Sequence, residues 1–227
     1  MSDPERLDAL SRKLGITIGN IELYMQALTH GSGGKADYQR LEFLGDRVLG
    51  IAIATMLYQR FPNEPEGKLS ARLNALVTGQ VCAQIAREKG LGDLLILGKQ
   101  ANDDGGRESA NILGDVVEAL IGAVYLDHGT DAARDLIARL WGDRIVSQVT
   151  APQHPKSALQ EWAAANRRKP PEYRIVDRGG PPHAPHFTVT VAIPKLAEAS
   201  GEGASKQEAE RAAAKALLSK LENGVTS

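Results

Sequence analysis

The feature that most constrains this chain is a change in the period of its apolar residues close to residue 150. Before that point they recur at helical spacing. Leu41, Leu44, Val48, Leu49 and Ala52 do so within residues 38–60, and Ile112, Leu113, Val116, Val117, Leu120 and Ile121 do so behind Ser109. Residues three and four apart share one face of an α-helix. Beyond residue 155 the spacing shortens: Phe187, Val189, Val191 and Ile193 alternate with their neighbours, the period of a half-buried strand. A helical layer followed by strands implies two separate cores, and 227 residues suffice for two small domains.

The finer punctuation supports that division. Asn20 is expected to cap a short helix with Ile21, Met25, Ala27 and Leu28 on its apolar side. A helix over 38–60 is stopped by Pro62, Pro65 and Gly67, and residues 69–88 read as helix with a break near Gly79. Residues 98–106 read as a Gly-rich charged loop, with Ser109 capping the next helix and a last helix over 131–149. Residues 150–155 have the composition of a linker. Helix is then expected over 157–167, alternation at Tyr173, Ile175 and Asp177, a break at 201–203, and an Ala-rich helix over 205–221. The expected architecture is an all-α helical domain over 1–149, a linker over 150–155, and a small α+β domain of order α-β-β-β-α over 156–225.

Charge follows the same border. Residues 1–155 hold 16 Lys/Arg against 20 Asp/Glu, and residues 156–227 hold 11 against 8. An acidic part followed by a basic part suits a second domain that meets a polyanion, although scatter would give the same imbalance. The single cysteine, Cys82, allows no internal disulfide and reads as a small buried residue in a reducing compartment. The opening residues are already charged rather than a basic-then-apolar leader, and the longest apolar run, 116–126, is interrupted by Glu118. A cytoplasmic protein without membrane contact is expected.

Two pairs of acids stand out. Glu42 and Asp46 lie four residues apart on one expected helix, and Asp115 and Glu118 three apart on another, so each pair shares a face. Their neighbours are apolar: Leu41 and Phe43 flank Glu42, and Glu118 sits within Val116-Val117-Glu118-Ala119-Leu120. Carboxylates in such company are costly unless a proton or cation neutralises them. If both faces converge, an all-oxygen donor set selects Mg²⁺ or Mn²⁺. The spacing alone equally admits acids that point to solvent from amphipathic helices.

Gln39-Arg-Leu-Glu-Phe-Leu-Gly-Asp-Arg-Val-Leu49 resembles the signature helix of the ribonuclease III family, and Ala27-Leu-Thr-His30 resembles the segment leading to it. Asp115-Val-Val-Glu-Ala-Leu-Ile-Gly122 is similar to the family's second acidic motif. The resemblance implies that Glu42, Asp46, Asp115 and Glu118 are metal ligands, with Asp46 and Glu118 as the catalytic pair. It implies a Mg²⁺-dependent endoribonuclease, with Mn²⁺ able to substitute and no small-molecule cofactor. Such an enzyme cuts double-stranded RNA in a staggered fashion, leaving 5′-phosphate and 3′-hydroxyl ends. Ribosomal, messenger and transfer RNA precursors are the implied substrates. The resemblance also implies a homodimer with Phe43 inserted into the partner; without it, an ordinary core phenylalanine is the simpler reading. Many relatives carry Glu where this chain has Gln39, which can only hydrogen-bond a phosphate or bound water. Arg107 could reach a phosphate or sit in a flexible loop. His30 is expected to fix a turn with Ser32.

The C-terminal order, with Gly201-Glu-Gly-Ala-Ser-Lys206 leading into an Ala-rich helix, resembles a double-stranded-RNA-binding domain. That resemblance places Gln160 and Glu161 at one minor groove, His183 at the next, and Lys206 at the phosphates between, with backbone donors at the helix start by Ser205. Gln207 and Glu208 stand where relatives often carry further basic residues. The competing functions are an RNA-binding protein that has lost cleavage and a metal nuclease acting on DNA. Four intact acids weigh against the first, and a module suited to A-form geometry weighs against the second.

Overall fold

A computed structural model of the chain describes residues 1–34, 36–147, 155–181 and 185–222. The chain divides into two compact units, Met1–Pro152 and Gln153–Ser227.

In the first unit, α1 (Asp3–Leu14) opens with the Ser2 N–H donating to the Glu5 carboxylate at 2.8 Å and ends at Gly15 in a left-handed conformation. Sequence periodicity did not bring this helix out. In α2 (Ile21–Ala27) the expected cap is present, since the Asn20 side chain accepts the Glu22 N–H at 3.1 Å. Next, α3 (Gln39–Arg60) buries Leu41, Val48, Leu49, Ala52, Ile53 and Leu57. The break after it is shorter than expected: Pro65 is the residue before α4 (Glu66–Leu76), so Gly67 lies inside that helix rather than stopping one. Thr78 caps α5 (Gly79–Glu88) by accepting the Val81 N–H, which places the break expected near Gly79 just ahead of it. The segment expected to be a loop over 98–106 contains a short helix, α6 (Lys99–Asp103), and a 3₁₀ turn follows at Gly106–Glu108.

The centre of the unit is α7 (Ala110–Ser147). Its first half is buried almost all round, and its regular path is interrupted at Gly129 (φ 82°, ψ −175°), between the two helices the sequence predicts. The end of the expected last helix, at 148–149, lies outside the described residues. α3 and α7 touch backbone to backbone. A Cβ on Gly45 would overlap the Glu118 carbonyl, and one on Gly122 would overlap the Leu41 carbonyl. These two glycines set how closely the two acid-bearing helices approach.

In the second unit, α8 (Pro155–Ala165) and α9 (Lys206–Glu222) pack against an antiparallel sheet of order β1-β2-β3: β1 (Glu172–Gly179), β2 (His186–Ile193) and β3 (Ala197–Gly203). Leu159, Ala163, Val191, Ile193, Ala213, Ala214 and Leu217 form its core. β2 alternates as expected, with Val189, Val191 and Ile193 buried. β1 does not: Ile175 and Val176 are exposed, and the register against β2 shifts between Ile175 and Asp177. Helix does not reach the end of the expected 157–167 stretch, because Arg167 has a positive φ. Gly201 and Gly203, expected to break the chain, lie within β3. A Cβ on Gly201 would run into the α9 backbone at Ala212 and Ala213, so glycine here allows helix to meet sheet.

Candidate active site

The crossing of α3 and α7 brings the acid pairs onto facing helices. Glu118 is half-buried, and its carboxyl is pushed up to about 7 by burial first, then by the charges of Glu42 and Asp115; Arg47 pulls the other way. Glu42 is also raised, by burial and by Asp115 and Asp37. Three of the four predicted acids therefore share one electrostatic neighbourhood. The fourth, Asp46, lies in the same turn of α3 but forms an ion pair with its neighbour Arg47. Among the described residues no three His, Cys, Asp or Glu side chains are grouped closely enough, as placed, to hold a metal ion. The donor chemistry nevertheless fits a hard divalent cation: the acids are half-buried and all-oxygen, and two of them are held above their ordinary range by burial first and by neighbouring acid charges second.

Two contacts at this site escaped sequence reasoning. The Cys82 thiol, fully buried, points at Glu118 with Sγ 3.7 Å from Oε1, and burial followed by the Glu118 charge keeps it protonated. The Tyr38 hydroxyl donates to Asp115 Oδ2 at 3.0 Å. Neither partner is near in sequence, so periodicity carries no trace of either pair. The turn before α3 is as expected: His30 Nδ1 lies 2.7 Å from Ser32 Oγ, and that hydroxyl also accepts the Gly98 N–H at 3.0 Å.

Phe43 is 65% exposed, which removes the core reading. The Arg47 guanidinium lies over its ring, 5.1 Å from the centroid. Ile51 and Tyr58, 65% and 73% exposed, continue an apolar stripe along the same side of α3. Gln39 is exposed, with its backbone N–H on Asp37 Oδ1. Arg107 is committed within the unit: Nε donates to Asn102 Oδ1 and Nη1 to the Gly92 carbonyl, both at 2.8 Å. It braces the loops around the 3₁₀ turn.

In the second unit, Gln160 and Glu161 are exposed on α8, and Ser205 and Lys206 are exposed at the start of α9. Ser205 Oγ accepts the Glu208 N–H at 3.2 Å while the Glu208 carboxylate accepts the Ala204 N–H at 3.0 Å, a reciprocal cap on α9. Glu208 thus has a structural use that explains an acid among the expected cations. Lys206 Nζ lies 3.7 Å from Glu210, whose carboxylate also pairs with Lys156 at 2.6 Å. His183 lies outside the described residues.

Comparison with known proteins bears on both units. A family model described as Ribonuclease-III-like matches residues 20–144, and one described as Double-stranded RNA binding motif matches residues 155–221. A Ribonuclease 3 of Zymomonas mobilis is 56% identical over 96% of this chain and 89% of its own length. A Ribonuclease 3 of Dinoroseobacter shibae is 47% identical over 96% of this chain and 97% of its own. Among solved structures, a nuclease domain of ribonuclease III from Campylobacter jejuni aligns with TM-score 0.59 at 36% identity. It covers 60% of this chain and 96% of that one, and was described for flexibility in a region involved in dimer formation.

Proposed function

The chain belongs to the ribonuclease III family and is an endoribonuclease acting on double-stranded RNA; on that premise we propose that Glu42, Asp46, Asp115 and Glu118 hold Mg²⁺, or Mn²⁺ in its place, at the α3–α7 crossing. The observation that carries this reading is that the close α3–α7 crossing brings Glu42 and Glu118 into half-buried surroundings, where burial first and then the neighbouring acid charges raise both carboxyls. Acids arranged to repel one another in a half-buried place are stable together only with a cation or a proton. When bound, the cation supplies a nucleophilic hydroxide from water near neutral pH and offsets charge on the leaving oxygen. Glu118, pushed up to about 7 by burial and by the charges of Glu42 and Asp115, would bind the cation in its ionised form. Asp46 would be among the residues holding the cation, and its ion pair with Arg47 keeps that carboxylate charged beside the site. Cys82 and Tyr38 supply neutral hydrogen-bond donors without adding charge.

The same reading assigns catalysis to residues 1–149, a linker to 150–155, and duplex recruitment to 156–225. Gln160 and Glu161, His183, and Lys206 with Ser205 contact RNA from the second domain. Gln39 contacts a phosphate or bound water beside the acids. Arg107 has the weaker case, since reaching a phosphate would cost its bonds to Asn102 and Gly92. Phe43, Ile51 and Tyr58 are large apolar side chains left exposed on α3, and a second copy is the occupant we assign to them. Two sites related by a two-fold axis then give the staggered cut with 5′-phosphate and 3′-hydroxyl ends. Precursors of ribosomal, messenger and transfer RNA are the proposed substrates and the cytoplasm the proposed compartment; no described helix is long and apolar enough to cross a membrane. Incubating a long RNA duplex with the protein, with Mg²⁺ or with a chelator, tests the metal assignment. Undiminished cutting under chelation would contradict it.

A further inference from the structure

Tyr38, the residue before α3, has hydrogen bonds to both acid-bearing helices. Its carbonyl accepts the Glu42 N–H at 2.9 Å, and its hydroxyl donates to Asp115 Oδ2 on α7 at 3.0 Å. Its N–H, in turn, donates to the Thr29 carbonyl at 3.0 Å, and its ring lies 5.8 Å from that of His30. The ring is 4% exposed, so the hydroxyl has few alternatives. We infer that Tyr38 is a positioning residue: a neutral strut that fixes the distance between Glu42 and Asp115 and holds the Asp115 carboxylate in the orientation needed for a divalent cation. The inference rests on the metal-site reading given above.

The chemistry favours tyrosine for this task. A hydroxyl donates one hydrogen bond to a carboxylate without neutralising it, and a carboxylate accepting at one oxygen keeps the other for a cation. An Arg or Lys at the same place would compete with the cation for the charge. A purely structural tyrosine needs only some acceptor, and any carbonyl would serve. Here the acceptor is one of the predicted ligands, on a helix other than the one Tyr38 precedes.

The test is direct binding of Mn²⁺ to the full-length protein, followed by electron paramagnetic resonance of the free ion, for wild type, Tyr38→Phe, Asp115→Asn and the double variant. Tyr38→Phe keeps the ring and its packing. We expect its Mn²⁺ affinity to fall roughly tenfold, with helix content unchanged. Asp115→Asn should fall at least as far, and the double variant no further than Asp115→Asn. Three outcomes overturn the strut while leaving the metal site standing: Tyr38→Phe binding as wild type, losses that add in the double variant, or loss of helix content in Tyr38→Phe. Wild type and Asp115→Asn binding Mn²⁺ equally, or wild type failing to bind it, would remove the metal-site reading and the strut with it.

Discussion

The two units of this chain handle polar groups in opposite ways. The helical unit takes acids into its interior and leaves three of them in mutual repulsion across the contact between α3 and α7. The α-β-β-β-α unit keeps its charges outside a small aliphatic core, and Glu210, the most enclosed acid among its described residues, is paired with Lys156 and Lys206. The first arrangement costs stability and is kept for chemistry; the second is ordinary packing that presents a polar surface. The contrast teaches that charge imbalance and function separate in the proposed reading, which gives the reaction on a polyanion to the more acidic unit and recruitment to the more basic one.

The sharpest way to break this contrast is Glu118→Ala. Cleavage should fall by at least about a thousandfold, while duplex binding stays within a few-fold because the second unit is untouched. Near-normal turnover, read from initial rates at saturating RNA, would remove the acids from the chemistry. The converse experiment deletes residues 151–227. The remaining fragment should cut at low salt and lose on the order of a hundredfold or more near physiological ionic strength, because most counterion-releasing contacts have gone. Parallel rate-against-salt curves for the full chain and the fragment would mean that the helical unit recruits RNA by itself.

A smaller effect is expected from Phe43→Asp. A charge placed in the exposed stripe must be desolvated against a second copy, weakening self-association by roughly tenfold or more. Sedimentation that shows an unaltered assembly would leave the stripe without its assigned occupant. The smallest effect concerns the acids at rest. In metal-free protein the Glu118 carboxyl titrates near 7 when folded and near its ordinary value when unfolded. Below the ordinary value both states hold the proton and nothing is lost. As pH rises toward 7 the unfolded chain ionises first, so stability falls, and above 7 the penalty is complete. Glu118→Gln should therefore stabilise metal-free protein at pH 8 by about 1–3 kcal/mol, discounted for partial exposure, with the gain fading below pH 5. Chemical denaturation at the two pH values measures it, and a pH-independent gain would place the effect in packing.

What the sequence made legible was local. Glu42 and Asp46, or Asp115 and Glu118, are close enough along the chain for helical geometry to pair them, and their apolar flanks signal burial. The alternation at Val189, Val191 and Ile193 likewise needs only neighbours. Contacts made by folding were invisible: Tyr38 and Asp115 are 77 residues apart, and Cys82 and Glu118 are 36 apart. The engagement of Arg107 with Gly92 belongs to the same class. Gly201 and Gly203 were misleading for a different reason. Glycine as a breaker and glycine as a site of close approach look identical until the packing helix is known. The register shift in β1 between Ile175 and Asp177 likewise leaves no mark in composition.

Gly129 has one more consequence. Its backbone conformation is one that side-chain-bearing residues scarcely adopt. The turn it permits lets the later part of α7 pack elsewhere: Trp141 donates to the Leu76 carbonyl at 2.9 Å, and Arg139 to the Leu14 and Gly15 carbonyls at 3.2 and 3.3 Å. The opening helix of the unit is thereby tied to its closing one. Coupling of this kind predicts that replacing Arg139 speeds amide exchange at the end of α1 and in the later part of α7 together.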